Sequence, residues 1–185
     1  MLNISNNLVG GKRVFIIAEI GNNHNGSFDK AIELIDAANN AGADCVKFQM
    51  RNMNSVYRKR SLAKQGEDLG TEYVLDLLDR FELTEEEHLN IANYCSKMGI
   101  TYMCTPWDSD SIETLERFNV PAYKVASADL TNLPLIDKLV STRKPLILST
   151  GMSSSEEIQI TTNFLNDRNA DFALLHCNST YPAPF

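Results

Sequence analysis

Two lysines stand inside apolar runs of this chain, Lys47 between Val46 and Phe48 and Lys124 between Tyr123 and Val125. A lysine so placed is partly buried and needs an anionic partner, because an uncompensated charge away from water is costly. Neighbouring apolar runs end in hydroxyls and amides: Gln49, Thr105, Ser127, Ser149, Thr150, Asn178 and Ser179. Two ammonium groups among such donors make a site for a small anion, a phosphate or a carboxylate. Carboxylates stand beside them. Glu19 follows Val-Phe-Ile-Ile-Ala, and Asp108 and Asp129 follow the third and fourth runs. A lysine amine in these surroundings can also attack a carbonyl and form a Schiff base. Of the three histidines, His24 lies in the first loop of the same set and His176 reads as a core residue after Ala173-Leu174-Leu175. His88, among Glu85, Glu86 and Glu87, reads as solvated.

Something must bring these residues together. Short β-branched runs at 14–18, 44–48, 100–104, 122–126, 145–148 and 172–177 predict six strands, and helical periodicity fills the segments between them. Phe28, Ile32, Ile35 and Ala38 fall on one helix face. Thr84-x-x-Glu87 predicts a capping box, with Leu89, Ala92 and Met98 inward and Gly99 as the stop. Ser153-x-x-Glu156 predicts a second box. A long loop is expected at 52–65, with a short helix at 73–78 behind it. Strands alternating with helices mean βαβ units and a parallel sheet, covered on both faces because its strands are continuously apolar.

Two architectures fit, an open doubly wound sheet and a (β/α)8 barrel. The first βα turn, Gly21-Asn22-Asn23-His24-Asn25-Gly26, is not GxGxxG, which disfavours a nucleotide-binding sheet. In a parallel barrel all strand ends share one face, where barrel enzymes keep their active sites. The residues themselves leave both α/β architectures open, a doubly wound sheet that binds no nucleotide and a parallel (β/α)8 TIM-type barrel, of which about six β/α units would be present here.

Length and composition set the bounds. At 185 residues, 43% apolar and 22% charged, the chain reads as one globular domain. Lys plus Arg number 17 against 24 Asp plus Glu, a net charge of −7 with no basic stripe, so neither nucleic acid nor an anionic membrane is expected as partner. The longest uncharged apolar run, Val14–Ala18, is too short for a membrane span or a signal peptide, and a cytoplasmic location is expected. Cys45, Cys95, Cys104 and Cys177 share no metal-like or CxxC spacing and read as reduced thiols, mostly buried. The sequons at Asn3, Asn25 and Asn178 read as chance matches.

Taken in order, several segments resemble the N-acetylneuraminate (sialic acid) synthase family, which includes the legionaminic and pseudaminic acid synthases. They are Ile17-Ala18-Glu19-Ile20-Gly21-Asn22-Asn23-His24-Asn25-Gly26, Ala43-Asp44-Cys45-Val46-Lys47-Phe48-Gln49, Thr105-Pro106-Trp107-Asp108 and Leu130-Thr131-Asn132-Leu133-Pro134-Leu135. Leu148-Ser149-Thr150-Gly151-Met152 and Leu174-Leu175-His176-Cys177 followed by Tyr181-Pro182 complete the match. The resemblance implies a (β/α)8 barrel that condenses phosphoenolpyruvate with an N-acetylated amino sugar (N-acetylmannosamine-like), giving a nonulosonic acid and phosphate. It implies that Lys47, Lys124, Ser127 and Ser149 bind the phosphate and carboxylate of phosphoenolpyruvate, with Ser179 offering another hydroxyl. Glu19 would contact the sugar or handle a proton. Asp129 stands where a glutamate often touches the sugar, and Tyr181 would line the sugar pocket. Gln49, Thr105, Asn23 and His24 complete the substrate-binding set.

The same resemblance implies a divalent metal, Mn or Mg, in the full-length enzyme. Its two histidine ligands come from later strands, so no metal ligand is expected within this chain. Residues 1–185 would be the N-terminal part of the synthase barrel, without its last two units and its antifreeze-like C-terminal domain. The chain alone would then be inactive, and the full-length protein would be a homodimer. Two alternatives stay open on the residues themselves: a Schiff-base aldolase-type barrel using Lys124 or Lys47, and a non-catalytic phosphate-binding module.

Overall fold

A computed structural model describes residues 1–5, 7–57 and 75–180. Strands β1 (Leu2–Ile4) and β2 (Asn7–Val9) form an antiparallel hairpin. Strands β3 (Ile17–Gly21), β4 (Cys45–Met50), β5 (Thr101–Pro106), β6 (Tyr123–Val125), β7 (Leu146–Ser149) and β8 (Phe172–Leu175) form one parallel sheet whose spatial order is the chain order. A doubly wound sheet reverses its order at a switch point. This one does not, and its six strands curl as an incomplete (β/α)8 wall. The helices are α1 (Phe28–Asn40), α2 (Met53–Val56), α3 (Leu75–Phe81), α4 (Glu85–Met98), α5 (Ser109–Arg117), α6 (Leu133–Ser141) and α7 (Ser155–Asn166). None of the described helices is long and apolar enough to cross a membrane.

The period of two along each strand separates two cores. Val46, Phe48, Tyr102, Cys104, Tyr123, Val125, Leu146 and Leu148 face the helices and pack with Ile35, Ile91, Leu115, Ile136 and Leu165. Residues of the opposite parity, Cys45, Met103, Ala122 and Ile147, form an inner floor with Ile4 of the hairpin, flanked by Val9, Phe15 and Ile17. The hairpin thus plugs the inner face at the N-terminal ends of the strands. Cys45, Cys95 and Cys104 are buried and Cys177 is partly so, all unpaired. Burial pushes the Cys95 and Cys104 thiols up to about 12, which leaves them unreactive.

Capping explains where the helices begin. Thr84 and Glu87 form the expected box on α4, and Gly99 ends that helix in the left-handed region at φ 75°. On α7 the box is Ser154 with Glu157, one residue later than expected. On α1 the expected face is the packed one, with Ile35 fully buried. On α4 it is rotated. Leu89 and Met98 are each 40% exposed, whereas His88, Ile91 and Cys95 are buried. The first strand starts at Ile17 rather than Val14, because the chain enters the sheet only after Ile16 N–H bonds the Asp44 carboxylate at 2.9 Å. The last strand ends at Leu175 and forms the edge of the sheet, where Leu174 and Leu175 are exposed and so is His176, which is not a core residue. Of the expected 52–65 loop, Met53–Val56 forms one helical turn, while 58–65 lies outside the described residues. The expected 73–78 helix is observed as Leu75–Phe81, with Tyr73 and Val74 outside them.

His88, expected in solvent, is 1% exposed, with Nδ1 2.9 Å from the Tyr102 hydroxyl and its ring edge-on to Phe48. Burial first and the nearby His24 second, against the pull of Glu87, lower its pKa from 6.5 to about 4. The unfolded chain therefore takes up a proton between about pH 6.5 and 4 that the folded chain cannot. Stability falls with pH across that window, by up to about 3 kcal/mol. Thermal melts at pH 7 and pH 4.5 are expected to show this slope, flattened in His88→Asn. An unchanged slope in that variant would place the acid sensitivity elsewhere.

Candidate active site

Above the apolar floor the inner face turns polar. Register pairs Glu19 with Lys47, Gln49 with Thr105 and Ser149 with Leu175. Lys47 is 5% exposed; its Nζ lies 2.8 Å from Glu19 Oε2 and donates to Thr105 Oγ1 at 3.1 Å. The Glu19 side chain is 58% exposed, so this carboxylate stands at the mouth, not in the interior. Lys124, 6% exposed, donates to Ser149 Oγ at 2.6 Å and to the Val125 carbonyl at 2.7 Å. Burial first and the charge of Lys47 second, opposed by Glu19, lower the Lys124 pKa to about 8. Of the two buried ammonium groups only Lys47 is paired with a carboxylate, and that one is partly solvated, so an anion would supply the missing charge.

The strand-end hydroxyls gather on one glycine. Gly151 N–H donates to Ser127 Oγ at 3.1 Å. A Cβ added at Gly151 would run into Ser179 Oγ and lie 2.9 Å from Ser127 Oγ. The ends of β6, β7 and β8 therefore meet at a point where only glycine leaves both hydroxyls in place. Gly151→Ala is expected to weaken anion binding about tenfold by displacing them. Its stability should stay within about 1 kcal/mol of wild type, because serine side chains can turn aside. Titration with phosphoenolpyruvate beside a thermal melt reads both, and undiminished affinity would remove Ser127 and Ser179 from the site.

The other expected residues divide. Asp129 sits in a 3-10 turn (Ser127–Asp129); its Oδ1 accepts from Asn132 Nδ2 at 3.0 Å. Its Oδ2 is buried with no hydrogen-bond partner among the described residues, and burial raises its pKa. Such an oxygen is costly unless a ligand or a proton satisfies it. Asn23 is exposed on the first turn, its amide donating to the Ile20 carbonyl at 2.9 Å. His24 is turned away from the lysines. It is 2% exposed, stacks on Phe48 in the helix-facing layer and accepts Gly26 N–H at 3.1 Å on Nδ1. Asp108 caps α5 and binds Asn52 N–H at 2.6 Å, a structural duty. Tyr181 lies outside the described residues. Sequence reasoning missed Arg51, a buried cation beside Gln49. The period of two through Lys47 and Gln49 was the available signal, since it continues to position 51.

A model of the NeuB family matches residues 34–185. The chain belongs to the NeuB family. An uncharacterized protein of Methanocaldococcus jannaschii is 41% identical over the whole of this chain and 52% of its own length. The N,N'-diacetyllegionaminic acid synthase of Campylobacter jejuni is 36% identical over 94% of this chain and 54% of its own. The crystal structure of N-acetylneuraminic acid synthetase from Leptospira borgpetersenii, in complex with citrate, superposes with a TM-score of 0.82 at 31% identity. It covers 96% of this chain and 60% of that one. This NeuB-family chain thus spans about half the length of the curated relatives it matches.

Proposed function

We propose that residues 1–185 are the N-terminal part of the barrel of a nonulosonic (sialic-type) acid synthase and hold its phosphoenolpyruvate. The complete enzyme would condense phosphoenolpyruvate with an N-acetylated amino sugar and release phosphate. One observation carries this reading: two buried lysines on the inner face, each bonded to a hydroxyl and together short of negative charge. Membership of the NeuB family and the names of the relatives support it. Lys47 and Lys124 would hold the phosphate and carboxylate, with Ser127, Ser149 and Ser179 as further donors. Fixed cations orient the donor against the acceptor without reorganising during the reaction. The C3 carbon of phosphoenolpyruvate attacks the sugar aldehyde, water adds to the cationic C2, and C–O cleavage expels phosphate. Glu19, beside Lys47 and open at the mouth, stands where it can contact the sugar or take a proton, and Asp129 Oδ2 is free to accept from it. Among the described residues no three His, Cys, Asp or Glu side chains come together. They do not fit the divalent cation, Mn or Mg, that the family resemblance implies, and no step here runs through one.

One observation favours a second reading: an amine held near pKa 8, as at Lys124, is a competent nucleophile. Borohydride reduction in the presence of pyruvate separates the two. The condensation reading expects no reduced adduct by peptide mass mapping. An adduct on Lys124 or Lys47 would replace it with Schiff-base chemistry.

A further inference from the structure

Arg51 is a buried cation that the proposed chemistry does not use. Three segments converge on it. Its side chain is 3% exposed, and its Nε lies 3.0 Å from Glu82 Oε1, just past the end of α3. Its Cζ stands 5.1 Å from the Trp107 ring centroid, just past the end of β5. Its Nη2 donates to Gln49 Oε1, on the strand β4 that Arg51 directly follows. Trp107 Nε1–H donates to that same Gln49 oxygen at 3.2 Å, and Trp107 N–H is tied to the Met50 carbonyl at 3.0 Å. Paired with Glu82 and shut away from solvent, the guanidinium is not itself a seat for a ligand.

Its effect falls on Gln49. A side-chain amide can present either its carbonyl or its NH2 group to a given direction. Here the carbonyl oxygen takes two N–H donors, and a flip would set NH2 against both, leaving donors facing donors. The Nε2 end is thereby held away from Arg51 and Trp107, on the side of Gly21: a Cβ at Gly21 would lie 3.5 Å from it. Gln49 is in register with Thr105, the hydroxyl that receives Lys47.

We propose that Arg51 is a positioning residue that locks the Gln49 amide with only its N–H groups facing the mouth, so that position 49 donates to a substrate oxygen. This rests on the anion-site reading above. A carboxylate, phosphate or carbonyl oxygen is accepted by that arrangement, and a ligand offering only donors there is refused. A flipped amide would turn its carbonyl dipole against the anion held by the lysines.

The test is a double-mutant cycle on the full 185-residue chain with Gln49→Ala, Arg51→Met and the pair, each checked by thermal melt. Phosphoenolpyruvate is titrated first, then N-acetylmannosamine in its presence. Each single variant is expected to weaken one of these titrations about tenfold, and the double variant no more than either single, since Arg51 acts through Gln49. Losses that add, or variants that bind both ligands as wild type does, overturn the proposal. Nitrogen-15 relaxation of the Gln49 side chain tests the lock without any ligand. A rigid amide that becomes mobile in Arg51→Met is expected, and one that stays rigid overturns the lock. Lys124→Met keeps the two readings apart: if it leaves phosphoenolpyruvate binding intact the anion site itself is misplaced, and the donor role falls with it.

Discussion

Lys124→Met is expected to weaken phosphoenolpyruvate binding by about 100-fold at pH 7, with folding intact. Lys124 donates to one hydroxyl and one carbonyl and has no carboxylate within ion-pair distance among the described residues. Its charge is therefore uncompensated until an anion arrives. Losing a desolvated partner of a bound charge costs about 2–5 kcal/mol, and 100-fold is about 3 kcal/mol. Folding should not suffer, because a buried ammonium without a counter-ion is replaced by an apolar chain of similar length. The pH dependence of the wild type has a definite sign. With the amine lowered to about 8, its charge is present at pH 7 and lost as pH rises through 8 and beyond, so affinity for the anion falls over that range. Calorimetric titrations at pH 7 and pH 9.5 read both effects. Equal affinity in the variant, or affinity that rises with pH, would detach Lys124 from the anion.

Gly26→Ala carries the largest expected loss of stability, about 3 kcal/mol. Gly26 has φ +76°, and a Cβ there would run into the carbonyl oxygen of Arg80 and lie 3.5 Å from Cα of Phe81. Both are main-chain atoms and cannot swing aside as a side chain could. Left-handed strain costs about 1–2 kcal/mol and overpacking about 1–3 kcal/mol more. For a chain of this size the loss corresponds to a melting point lower by about 10 °C. The substitution also disturbs the turn in which Gly26 N–H bonds His24 Nδ1 and which carries Asn23. Gly42→Ala is the control. It has φ +81° but nothing within 4 Å of its Cβ position, so it should show only the backbone strain. Equal losses in the two variants would mean that the Arg80 contact has no weight.

The features legible in the sequence are those with a local cause. Continuous apolar runs alternating with capped helices pointed to a parallel sheet, and the lysines interrupting two of those runs pointed to an anion site. The features that were hidden depend on partners far along the chain. Arg51 is held by Glu82 and Trp107, which follow other elements. His88 sits among three glutamates, and only the packing of α4 against Phe48 and Tyr102 turns it inward at the expense of Leu89. The hairpin Leu2–Val9 has strands of three residues, too short for a period to show, yet its Ile4 closes the inner floor. His24 lies in the right loop for the mouth, but Phe48 gives its ring a stacking partner on the other side of the sheet.

The proposed function requires Lys47 and Lys124 to act as one cradle for a phosphorylated carboxylate. Titrating phosphoenolpyruvate by calorimetry into the folded chain and into Lys47→Met tests this most directly. Saturable one-to-one binding that weakens with added salt and disappears in the variant is the predicted result. No saturable binding by a chain whose cooperative melt shows it folded, or binding that survives without Lys47, would contradict it.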